Sequence, residues 1–132
     1  MIHTHIRAAV LAALENNIAS KTIWFDGRPA FLSPDDLPAV AVYLTDAECT
    51  EDSLDEDMWS AVLHIEVFLK ATETDSALDA WVEEKIYPVM KNIVALDSLV
   101  ETLSPSGYDY QRDDEATTWG SADLKYSITY QM

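Results

Sequence analysis

Basic residues are scarce in this chain: eight Lys and Arg stand against 24 Asp and Glu, a formal net charge of −16 over 132 residues. A surface of that sign repels bare nucleic acid and anionic membrane. Like copies also repel one another until counterions screen them. Cysteine is nearly absent. Cys49 stands alone, so no disulfide can form within the chain, which fits a reducing compartment. Three Gly and five Pro argue against low complexity or disorder. No apolar run approaches the roughly 20 residues of a membrane span. The start, MIHTHIRAAVLAALENN, lacks the cationic opening and continuous apolar stretch of a signal peptide. The expectation is a soluble, intracellular protein. No Gly-rich phosphate loop, GxSxG, HExxH or CxxC occurs, so no motif announces nucleotide, nucleophilic or metal chemistry.

What is present is a core. About half the residues are apolar, with four Trp and six Tyr among them, and the length suits one domain over 1–132. The organising stretch is Met58 to Lys70. Trp59, Ala61, Leu63, Ile65, Val67 and Leu69 share one parity, the period of a strand with one buried face. Ser60, His64, Glu66 and Lys70 share the other with Val62 and Phe68, a mixed face that calls for partial cover by a helix, a loop or a neighbouring chain.

A helix is expected from Thr4, as its cap, to about Asn17, carried by Ile6, Val10, Ala13 and Leu14. Residues 22–25 read as a short strand closed by Asp26-Gly27-Arg28-Pro29, where Asp-Gly is a turn signal. Residues 39–44 read as a second strand covered on both faces. Seven acids and no base fall between Asp46 and Asp57, which predicts a solvated loop between strands. A second helix opens at Glu73-Thr74-Asp75-Ser76 with Asp75 as cap, and its stripe is Leu78, Trp81, Val82, Ile86, Val89, Met90 and Ile93. Pro88 should kink that helix or end it near Tyr87. A strand starts at Val100 to Leu103 and is punctuated by Ser104-Pro105-Ser106-Gly107. Tyr108-Asp109-Tyr110 alternates again, and Arg112-Asp113-Asp114-Glu115 forms a charged turn. Ala122, Leu124, Tyr126, Ile128 and Tyr130 mark a last half-buried strand. The fold class is α+β: a mostly antiparallel or mixed sheet of about five strands, with two helices packed on one face.

Candidate chemistry is thin. The acidic loop can attract Mg²⁺ or Ca²⁺, but it lacks the spacing of a calcium loop and also reads as plain solvated surface. His3 and His5 stand two apart without a third ligand and read as terminal histidines. His64 reads as a satisfied or half-exposed histidine rather than a base. The acids around Cys49 oppose a thiolate, so it is a poor nucleophile. The absence of a site motif favours an interaction or assembly protein over an enzyme. A DNA mimic would use the same net charge, yet would need carboxylates spaced along one face like phosphates.

Several stretches go further. HTHIRAAVLAALE (3–15), FDGRPA (25–30), LPAVAVYLT (37–45), LHIEVFL (63–69), DSALDAW (75–81), IYPVM (86–90), GYDYQRDD (107–114) and SADLKYSITYQM (121–132) resemble, in order and spacing, the tail terminators of lambda-like long-tailed phages, also called the minor tail protein U family. The resemblance covers nearly the whole chain and lapses mainly at 16–23, 31–36, 46–58 and 91–106.

The resemblance implies a structural role without catalysis. Members of that family form hexameric rings that cap the tail tube, stop tube-subunit addition at the set length and offer a surface for head–tail joining. It implies a homo-hexamer, the tail tube protein and a head–tail connector protein as partners, and the head-proximal tail end of the virion as location, after assembly in the host cytoplasm. It also implies that Mg²⁺ promotes oligomerisation. Asp75 in DSALDAW is the candidate metal contact, against a purely capping role. Arg28 in FDGRPA, and Arg112 with Asp113 and Asp114 in GYDYQRDD, are the candidate subunit or partner contacts. Arg112 has a local pair with Asp113 or Asp114 as its alternative, and an acidic DNA mimic or other small acidic interaction protein remains the alternative for the whole chain.

Overall fold

The computed structural model describes residues 1–50 and 57–132. Helix α1 (Ile2–Asn17) leads into strand β1 (Ile23–Asp26), then β2 (Ala39–Cys49) and β3 (Met58–Lys70). A second helical arm follows, made of α2 (Asp75–Ala80), a π-helical stretch (Trp81–Ile86) and a last α-helical turn, α3 (Tyr87–Met90). Strands β4 (Thr102–Arg112) and β5 (Trp119–Gln131) complete the chain. The sheet runs β1-β2-β3-β5-β4. It is mixed: β1 is parallel to β2, and every other pairing is antiparallel.

β3 is the middle strand, and its bounds are those the alternation predicts. It pairs with β2 on one side and with β5 along its full length on the other. Leu63, Ile65 and Val67 are wholly buried beneath Ile6, Val10 and Leu14 of α1 and Leu78, Val82 and Ile86 of the second arm. Both helices therefore lie on one face, as the α+β reading expects. The opposite face receives the loop after β1: Leu32 is buried against Ala39, Ala41, Tyr43 and Phe68, so a loop supplies cover that the mixed parity of β3 calls for. Among the described residues no helix is long and apolar enough to cross a membrane.

Several local expectations are corrected. α1 begins at Ile2 rather than at a Thr4 cap; Met1 occupies the cap position with no side-chain bond, because Ile2 already packs on the core. β1 is displaced by one residue, and the connection over 27–38 is long enough for the crossover that a parallel pair needs. Gly27, at φ 104°, takes the turn out of β1. β2 does not stop at 44. Asp46, at φ 56°, sits in a bulge, after which Glu48 and Cys49 resume the ladder opposite Ser60 and Trp59. Backbone pairing, not apolar alternation, extends the strand, so the first part of the expected loop is strand; residues 51–56 lie outside the described residues.

The second arm corrects two more. Thr74, not Asp75, caps it: Thr74 Oγ1 accepts the Ala77 N–H at 3.2 Å. Asp75 is the first helical residue, where its carboxylate still favours the positive helix end. Thr74→Ala should cost about 1 kcal/mol, read as a lower urea midpoint with an unchanged slope. Of the two outcomes expected at Pro88, a kink or an end near Tyr87, the end does not occur. A proline ring clashes with the carbonyl four residues earlier, here Glu84. The turn around Glu84 is widened, with Tyr87 N–H bonded back to Val82 O, and the chain runs helically to Met90. Finally, Ser104 to Gly107 do not interrupt β4. A bulge between Pro105 and Gly107 absorbs them, leaving one strand.

Candidate functional site

Charged and aromatic side chains gather in two places, one on each side of the sheet. On the helix side, Tyr108, Tyr110 and Arg112 project from β4 toward the start of the second arm. Arg112 Nη2 donates to Asp75 Oδ1 at 2.7 Å, and its Nη1 reaches Ala71 O at 3.4 Å. Gly120 opposes Arg112 across the β4–β5 ladder, and a Cβ there would stand 2.6 Å from Arg112 Nη1. A glycine leaves the guanidinium room to cross. Tyr108 and Tyr110 both donate to Asp79 Oδ1, at 2.7 and 2.5 Å, with their rings packed edge to face. The two bonds, that of Tyr110 first, hold the Asp79 carboxyl below its ordinary range. Burial, and then the bond to Asp79, pushes the Tyr108 phenol well up, while for Tyr110 the Asp79 bond is the leading cause.

On the far side, Glu66 of β3 lies opposite Asp123 of β5, and Asp123 opposite Asp109 of β4. Carboxylates placed directly across a ladder repel, and donors converge on each of the three, although Asp123 Oδ1 is buried without a hydrogen-bond partner among the described residues. Glu66, wholly buried, accepts from Tyr43 Oη at 2.7 Å and Ser121 Oγ at 2.6 Å. Asp123 Oδ2 lies 2.8 Å from His64 Nδ1, and His64 Nε2 lies 2.6 Å from Thr45 Oγ1. Lys125 bonds Asp109, and that bond raises the Lys125 ammonium pKa. Tyr43 stacks flat on His64, with centroids 4.4 Å apart, and burial followed by the Glu66 bond pushes its phenol well up. With both ring nitrogens engaged and one face covered, His64 is held as a structural histidine. His3 is likewise engaged, its Nε2 2.7 Å from Tyr130 Oη, while His5 is exposed.

The structure places the residues singled out from the sequence as follows. Arg112 faces Asp75, not Asp113 or Asp114. Arg28 lies 5.6 Å from the centre of the Tyr43 ring, with Nη2 3.4 Å from Gln111 Oε1. Asp113 accepts the backbone N–H groups of Thr118, Ala116 and Glu115. These bonds, Thr118 first, depress its pKa and close the β4–β5 turn. Asp114 is exposed. Among the described residues no group of three or more His, Cys, Asp or Glu is placed to hold a metal ion. Sequence reading missed Asp79 and the buried Glu66–Asp123 network. A Glu amid Leu63-His64-Ile65 and Val67-Phe68-Leu69 was the available signal, since a carboxylate in a buried strand requires donors.

Residues 1–130 match the family model for phage minor tail protein U. The chain is 59% identical over 132 residues to the tail tube terminator protein of Escherichia phage lambda, and 57% identical over 132 residues to that of Escherichia phage N15, each covering 100% of both chains. With the family model and both relatives spanning the molecule, the chain belongs to the phage minor tail protein U family.

Proposed function

We propose that this chain is a tail tube terminator. Copies of it close as a hexameric ring over the head-proximal end of the tube, stop tube-subunit addition at the set length and offer the surface at which the head joins. The observation that carries the reading is full-length identity of more than half the residues to two tail tube terminators. Such a role is structural and places the protein in the virion tail, in contact with the tail tube protein and a connector. It asks for faces rather than a reactive pocket, in keeping with a sheet whose polar groups are largely spent on one another.

Ring closure brings together six copies that each carry −16, and unscreened repulsion opposes it. In this reading Mg²⁺ lowers that cost by screening and by bridging carboxylates of adjacent copies. Within one subunit the fit is poor: Asp75 already has one oxygen on Arg112, which leaves its other oxygen for a cation held jointly with a neighbour. Arg28 and Arg112 are the guanidinium groups through which adjacent subunits or tail partners would be met. Mg²⁺ should shift the protein from monomer toward hexamer in sedimentation velocity, and Asp75→Ala should change the Mg²⁺ concentration at which this occurs. Superimposable profiles with and without Mg²⁺ would count against the metal's role. Tails of normal length that join heads normally in the absence of this chain would end the terminator reading itself.

A further inference from the structure

The helical arm and β4 enclose a cleft of about 450 Å³, lined by Asp79, Val82, Glu83, Tyr87, Tyr108, Tyr110 and Leu124. That volume falls in the range of ligand clefts, about 300–1,000 Å³. Val82 and Leu124 are buried and provide an apolar floor. Three tyrosine rings provide walls, and the carboxylates of Asp79 and Glu83, one helical turn apart, provide negative charge at the rim. Aromatic faces and carboxylates around an apolar floor form a receptor for a cation carried on an alkyl stem. The same chemistry is already in use on the chain: Lys85 Nζ lies 4.1 Å from the centre of the Trp81 ring, and Lys91 Nζ 5.0 Å from that of Tyr87, itself a wall of the cleft.

We propose that this cleft receives an arginine or lysine side chain of another polypeptide, its stem on Val82 and Leu124 and its charge between the tyrosine rings and the Asp79 and Glu83 carboxylates. Charge decides the occupant. Arg7, Arg28, Lys85, Lys91, Arg112 and Lys125 are each engaged within the subunit. A second copy therefore has at most Lys21 and Lys70 to offer without releasing an internal contact, and Arg28 or Arg112 only by giving one up, whereas a basic partner is drawn to a chain at −16. Asp79 is held ready for the task. Both tyrosine hydroxyls bond its Oδ1, so its other oxygen can accept from an incoming guanidinium or ammonium group.

The test is a titration of the full chain with Nα-acetyl-arginine N-methylamide, followed in ¹H–¹⁵N and aromatic ¹H–¹³C spectra. The neutral citrulline counterpart, of nearly the same shape, is the control. Saturable shifts confined to Tyr87, Tyr108, Tyr110 and their neighbours are expected, with affinity for the citrulline compound at least 10-fold lower. Glu83→Gln, an exposed change, should weaken arginine binding roughly 3-fold. Asp79→Asn keeps an acceptor for both tyrosines and should weaken it roughly 10-fold. Equal shifts with citrulline, or arginine shifts scattered over the acidic surface, would overturn the proposal. If Asp79→Asn instead abolishes self-association of the protein, the occupant is a second copy and the assignment to another polypeptide falls. Because the readout is a small-molecule shift in the free chain, failure here leaves the terminator reading standing.

Discussion

Glu66→Ala should lower stability by about 3 kcal/mol, while Glu66→Gln should lose roughly half as much. Glu66 is wholly buried in the middle strand, and two hydroxyls, Tyr43 Oη and Ser121 Oγ, donate to it. Alanine leaves both hydroxyls without an acceptor, at about 1–3 kcal/mol each, and removes a methylene and the carboxylate from a packed site. Against that runs the relief of repulsion with Asp123 across the ladder, which keeps the net loss below the sum. Glutamine retains one acceptor oxygen, and one hydroxyl can turn to accept from its amide. Urea unfolding measures both changes as shifts in midpoint at constant slope. If Gln proves as damaging as Ala, charge rather than hydrogen bonding organises this face.

Ile65→Ala is the second large effect, expected at about 2–5 kcal/mol. Ile65 is wholly buried and stands between Val42 of β2 and Leu124 of β5 on the face that carries both helices. The sheet holds its walls apart, so the cavity cannot collapse and the cost should fall in the upper half of that range. Each kcal/mol corresponds to roughly 3–4 °C for a chain of this size, which thermal unfolding would read as a fall of about 10 °C or more. A loss below 1 kcal/mol would mean that the two helices close over the gap, and that the core is less tightly specified than its burial indicates.

The parity of β3 was legible because one face of a central strand is buried along its whole length, and burial writes period two into the residues. The parity of β5 was legible for the same reason. The helix stripes were equally readable, as Ile6, Val10 and Leu14 show. What was hidden is what backbone hydrogen bonds decide alone. Glu48 and Cys49 join β2 through the ladder although their side chains face water, and Ser104 to Gly107 stay in β4 through a bulge. The cap moved from Asp75 to Thr74 because either side chain can accept an N–H, and only the geometry of the turn selects one. For the site, Arg112 and Asp75 were each visible as charged residues, but their pairing joins two elements separated by 37 positions, a distance that no local pattern encodes. Asp79 was passed over for a similar reason: on the helix it is one acid among several, and only β4 brings two tyrosines to it.

Pro105 and the bulge beside it lie on an edge strand, and they bear on what can pair with the open side of the sheet. An unbroken outer edge would offer a foreign strand a continuous template, so each added chain would expose a fresh one and a filament could follow. The bulge throws the spacing of β4 out of step, so a strand laid along that rim would lose register within a few residues. This spoiled margin keeps one copy from becoming the template for the next.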